Sequence, residues 1–211
     1  MFQSTLNMVQ KHQEDLLHIR SMMERSSRFI SLSGLSGVFA GITALIGGGY
    51  AFKLLKDNGI DYLDGKTQEY SSELIGQLII TAILVLLLAL FFGILFTVRK
   101  SRKNNLAIWT STTKKMVLGL LIPLGAGGIF CVALIFNGMF VLVAPTTLIF
   151  YGLALINVGQ YTFSDIKYLG LSELTMGIIA LFLLGSGLVF WMLGFGVLHI
   201  FYGLLLFKKY K

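Results

Sequence analysis

Two side chains able to carry charge near neutral pH fall inside long apolar runs: Glu173, within Leu169–Phe190, and His199, within Met192–Phe207. An ionisable group in hydrocarbon is costly, so each is a functional candidate by default. A carboxyl group there could bind a cation or exchange a proton, and an imidazole could relay one. Asn157 and Gln160 stand at the inner end of another apolar run, with Tyr161 beside them. By depth they should lie with Glu173 near the cytoplasmic boundary, giving a candidate polar site of Glu173, Asn157, Gln160 and His199. The competing reading makes Glu173 a solvated first-turn acid favoured by the helix N-terminus, and it is preferred here. For His199 the simpler reading is a hydrogen bond to a neighbouring span.

Other chemistry finds little support. One intramembrane histidine cannot hold a metal or a haem alone. In His12-x-x-Asp15-x-x-His18 the outer two side chains diverge by roughly 120° around a helix, so they do not converge on one ion. The acids between Lys53 and Glu73 lack the alternation and central glycine of a calcium loop. Cys131 reads as a small packing residue. No G-x-S-x-G, H-E-x-x-H or G-x-x-x-x-G-K-[ST] is present. No metal, cofactor or enzymatic activity is expected.

These residues must be held by membrane spans. The composition is 55% apolar with 24 glycines and only 13% charged, too apolar for an ordinary soluble domain and for a disordered chain. A bilayer core of about 30 Å takes roughly 20 apolar residues in a helix. Six such stretches are expected: Phe29–Phe52, Leu74–Val98, Val117–Phe136, Phe140–Gln160, Leu169–Phe190 and Met192–Phe207. Five spans with one re-entrant stretch is the alternative. Asn137-Gly138-Met139 reads as a tight turn. The last two spans should join near Gly187–Gly194, leaving the sixth short. Pro123 with Gly125–Gly128 offers the one break inside a span.

Of the 17 lysines and arginines, all but Lys53, Lys56 and Lys66 fall on one side of the six-span arrangement. The positive-inside bias then places both termini in the cytoplasm of an inner-membrane protein. The same pattern argues against nucleic acid as partner, because the basic residues flank apolar segments and form no patch with interleaved aromatics. Residues 1–28 read as a cytoplasmic amphipathic helix whose apolar face docks on the bilayer or bundle, ahead of a 29–211 transmembrane domain.

The first span carries small residues at helical spacing: Ser33, Gly37 and Gly41 in one row, and Ser36, Ala40, Ala44 and Gly48 in another. Such rows let a neighbouring backbone approach, within the chain or in a second copy. Gly47-Gly48-Gly49 should loosen the outer end. Gly34–Leu45 echoes Gly170–Leu181 at 7 of 12 positions, with Glu173 standing where the first copy has Gly37. The echo suggests three helical hairpins in parallel orientation.

Glycine-spaced hairpins ending in Trp191-Met-Leu-Gly-Phe-Gly-Val-Leu-His-Ile-Phe-Tyr-Gly203 look similar to small six-span bacterial membrane proteins of the HdeD type. The resemblance implies a six-span helical fold and an association with acid resistance. It transfers no functional residue, and residues 1–28 depart from it.

The expected architecture is therefore an all-α polytopic bundle of six transmembrane helices, N-in and C-in. The lipid bilayer is its first partner, and a second copy or another membrane protein packing on the small-residue rows is a further one. The function expected from sequence is a non-catalytic structural or regulatory membrane component acting through helix packing. The alternative is a small transporter or channel with a polar site near Glu173, Asn157 and His199.

Overall fold

A computed structural model describes residues 15, 33–60 and 70–210. The amphipathic segment 1–28 lies outside the described residues except Asp15, which is helical and exposed. The 61–69 part of the acidic loop lies outside them too. The described residues form helices: α1 (Gly34–Asp57), α2 (Ser72–Lys103), α3 (Ser111–Phe136), α4 (Val143–Val158), α5 (Ser164–Phe182) and α6 (Leu184–Lys209). All but α5 belong to five segments long and apolar enough to cross a membrane, α4 counting with the 3₁₀ turn Phe140–Leu142 before it. α5 has 19 residues but carries Asp165, Lys167 and Glu173.

Local chemistry sets several boundaries. The Ser71 side chain accepts from Leu74 N–H to open α2. Thr110 and Thr113 form a reciprocal capping box that opens α3. These side chains satisfy amides that have no partner inside the helix. α1 stops at the turn Asn58-Gly59, and α3 at Asn137-Gly138. Gly59 and Gly138 take φ of +72° and +73°, a region where a side chain would clash.

Three expected irregularities fall elsewhere. α1 does not loosen at Gly47-Gly48-Gly49 but runs on to Asp57, because Gly47 packs on Val85 and Gly48 on Met192 and Trp191. α3 continues through Pro123. The junction between the last two helices lies at Leu183, where Leu184–Ser186 forms a 3₁₀ turn, and not at Gly187–Gly194. The final helix is therefore long, 26 residues. Its glycines sit inside it, and Met192–Leu198 is wound as a π-helix.

Glycines also set the packing. α1 crosses α6 where Gly34 and Gly203 face each other: a Cβ on Gly203 would come 2.7 Å from Gly34 O. α4 crosses α5 in the same manner, a Cβ on Gly152 coming 2.7 Å from Gly170 O and one on Gly170 2.8 Å from Gly152 O. Nothing larger fits between backbones so close. The echoed segments of α1 and α5 thus place Gly34 and Gly170 in equivalent contacts. Gly37 abuts Gly203 and His199 O, Gly41 meets Gly196 O and Ile200, and Ala44 is buried. The glycines of both rows, Gly37, Gly41 and Gly48, thus lie against α6 of the same chain.

α2 covers α1 from outside, with Phe39 between Phe92 and Phe96 at centroid distances of 5.2 and 4.9 Å. α3 covers α4. One end of the bundle is clasped by polar contacts. Lys209 pairs with Asp165 at 3.0 Å, and Tyr210 donates its hydroxyl to Asp165 at 2.8 Å while stacking on Phe163. Lys100 donates to Tyr210 O at 2.9 Å. Burial, then the bond to Asp165, pushes the Tyr210 phenol above its ordinary value, so this donor stays protonated.

Candidate intramembrane site

The buried side of α5 runs Ile166, Leu169, Gly170, Glu173, Gly177, Ala180, a stripe at helical period. Glu173 sits in that stripe between the two glycines that bring α4 close. It stands near the middle of α5, about 14 Å along the axis from Ser164 at 1.5 Å per residue. Its relative exposure is 0%. The solvated first-turn reading is therefore overturned: α5 begins at Ser164, five residues before the apolar run that the sequence suggested as its start.

His199 reaches Glu173 from α6. Its Nδ1 lies 3.2 Å from Glu173 Oε1 and 3.0 Å from Gly194 O. Only the carbonyl is placed to accept a hydrogen bond from that nitrogen, and neither Glu173 oxygen has a hydrogen-bond partner among the described residues. The other ring nitrogen, Nε2, shares a 2.8 Å hydrogen bond with the Tyr151 hydroxyl of α4. Three helices thus contribute one polar group each, in the order tyrosine, imidazole, carboxyl.

The surroundings are tight and apolar. On the far side of the carboxyl group, a Cβ on Gly194 would collide with Glu173 Oε2 and come 2.6 Å from Leu148 Cδ2. Phe195 stacks on the His199 ring at 5.8 Å and tilts against Tyr151 at 4.9 Å, with Trp191 one turn further at 5.1 Å from Phe195. An aromatic wall and a leucine enclose the cluster. Burial of an ionisable group without a donor costs much more in such a place than in water.

The remaining members of the sequence-derived polar site lie elsewhere. Asn157 is exposed and donates to Gly119 O of α3 at 2.8 Å, and Gln160 donates to Asn157 O at 3.0 Å. Neither bonds to Glu173. The Asn157 contact has its own cause. Proline has no N–H, so Pro123 leaves the carbonyl four residues earlier, Gly119 O, without its helical donor. Asn157 supplies that donor, which is how α3 passes through a proline in an apolar setting.

Tyr151 and Gly194 are the members that sequence reasoning missed. Nothing in the spacing of α4 marks Tyr151. Gly194 precedes His199 by five residues, a separation that puts two residues on different faces of an α-helix. The π-winding of Met192–Leu198 accompanies their approach, and π segments recur at functional sites. A signal for Glu173 was present, because it shares its helical row with Gly170 and Gly177.

No family model, curated protein or solved structure matches this chain.

Proposed function

We propose that this chain is a small transporter or channel of the cytoplasmic membrane, with Glu173, His199 and Tyr151 as its working site. One observation carries the reading: a carboxyl group at the centre of the bundle, fully enclosed, with no hydrogen-bond donor of its own. A structural span gains nothing from such a group, and an apolar residue of similar volume would serve packing better. The group is explained if it binds something that passes through.

Six crossings with both termini in the cytoplasm suit this role, α5 being the span that carries the site. The distribution of lysine and arginine supports that orientation. The packing function expected from sequence is weaker, because Gly37, Gly41 and Gly48 of its motivating rows face α6 of the same chain.

The test is flux in proteoliposomes loaded in turn with dyes for protons, sodium and potassium. Wild-type protein should accelerate at least one flux, and Glu173→Gln, checked for folding by its elution profile, should abolish that acceleration. Vesicles silent toward every probe, or equal flux from the two proteins, would remove the reading. Cysteine labelling at positions 105 and 210 from one side only would test the orientation.

A further inference from the structure

We infer that the species taken up by this site is the proton, and that Tyr151, His199 and Glu173 form a relay for it. The inference rests on the transport reading above and narrows it to one cargo or coupling ion.

The hydrogen bonds count the protons. One ring N–H faces two acceptors, Gly194 O at 3.0 Å and Glu173 Oε1 at 3.2 Å, and is aligned on the carbonyl. With Nδ1 donating there, a neutral imidazole has only its Nε2 lone pair left, which accepts from the Tyr151 hydroxyl at 2.8 Å. Glu173 then receives no hydrogen bond, as is found. If it is ionised, the cluster carries one uncompensated negative charge in an apolar enclosure. A single added cation makes the cluster neutral.

Sterics select which cation. A metal ion of this charge class needs several oxygens around it and room for itself. Oε2 is closed off by the Gly194 backbone and Leu148, and the Oε1 side is filled by the imidazole. A proton needs no volume. It also has a path, because every step between the three side chains is a hydrogen-bond distance or close to one.

The transfers balance. A hydronium-type donor on the tyrosine side gives a proton to the Tyr151 oxygen as the hydroxyl passes its own to Nε2, so two O–H bonds break, the donor's and the hydroxyl's, while one O–H and one N–H form, and the donor departs as water. The imidazolium then yields the Nδ1 proton to Oε1, breaking N–H and making O–H. Imidazole is neutral again and the carboxyl group holds the proton. Nothing is oxidised or reduced.

The groups facing Glu173 are few. His199 of α6 and Tyr151 of α4 are the titratable side chains placed against it among the described residues. Within α5, Asp165 lies eight residues away, about 12 Å along the helix, and is engaged by Lys209 and Tyr210. Lys209 and Lys208 stand at the far end of α6.

Infrared difference spectroscopy of the full chain, reconstituted in lipid and titrated with acid, reads the site without needing flux. The wild type should show a protonated-carboxyl stretching band that changes with pH, shifts in deuterated water and is missing from Glu173→Gln. Tyr151→Phe should keep the band but slow proton flux about a hundredfold, the scale of one positioned acid–base group. A wild type with no titrating carboxyl band would overturn the relay, and so would sodium abolishing the band at fixed pH. Flux that survives in such a case leaves the transport reading standing with another ion. A titrating band in vesicles that conduct nothing keeps the proton site and removes transport.

Discussion

α5 and α2 are both rich in leucine and isoleucine, yet the protein treats them oppositely. α5 hides Ile166, Leu169, Gly170, Glu173, Gly177 and Ala180. α2 is longer, 32 residues, and hides only Leu74 and Ser101. Leu84, Leu86, Leu87 and Phe91 of α2 are all more than half exposed, as are Ile122 and Ile129 of α3. Apolarity therefore does not decide which helix goes inside. Lipid tails are as apolar as leucine and offer no hydrophobic gain for burying it. What separates the helices is whether glycine lets a second backbone approach. The ionisable group sits at one such approach, between Gly170 and Gly177 of α5.

The largest break in this contrast should come from filling a crossing. Gly170→Leu would drive a side chain into Gly152 O and Ile156 N. It should cost about 3 kcal/mol or more, seen as loss of monodisperse protein in detergent. Gly93→Leu on α2, where nothing lies within 4 Å, should elute and melt as the wild type does. Equal damage from the two would mean that α2 is packed after all.

Removing His199 tests the polar centre of the inner group. His199→Ala takes away the imidazole 3.2 Å from the Glu173 carboxyl group and should destabilise by about 3 kcal/mol. Adding Glu173→Leu should recover most of that loss, since it removes the buried carboxyl group that was left without a partner. Additive losses in thermal melts would show that the two side chains do not act together.

A smaller effect is expected at the proline. Asn157→Ala should cost about 1 kcal/mol by leaving Gly119 O unbonded. In a Pro123→Ala background, where the helix again supplies the N–H, the same change should cost almost nothing. Smallest of all, Ile122→Ala on the lipid face of α3 should shift stability by less than about 0.5 kcal/mol.

The outer layer was the more legible part of the sequence. Long apolar helices, the turn at Asn137–Met139 and the small-residue rows of α1 follow from composition and a 3.6-residue period. The inner layer was harder for a definite reason. α5 starts at Ser164, outside its apolar run, so a reading by hydropathy begins that helix too late and leaves Glu173 near the surface. The site itself joins residues from three helices, and no period connects Tyr151, Glu173 and His199. Pro123 misled in the other direction: the distortion it announces is repaired by Asn157, while the irregular winding lies in α6, where no proline marks it.

That winding has a practical corollary. A ring closed five residues back encloses one residue more than a ring closed four back. Met192–Leu198 therefore carries a surplus position that the helix on either side does not need. Excising one residue there would let the turns close up as ordinary helix while Trp191 and His199 keep their stations. The carbonyl presented to the imidazole would be lost with the π-winding. A change of chain length, not of side chain, is the cleanest way to silence that acceptor.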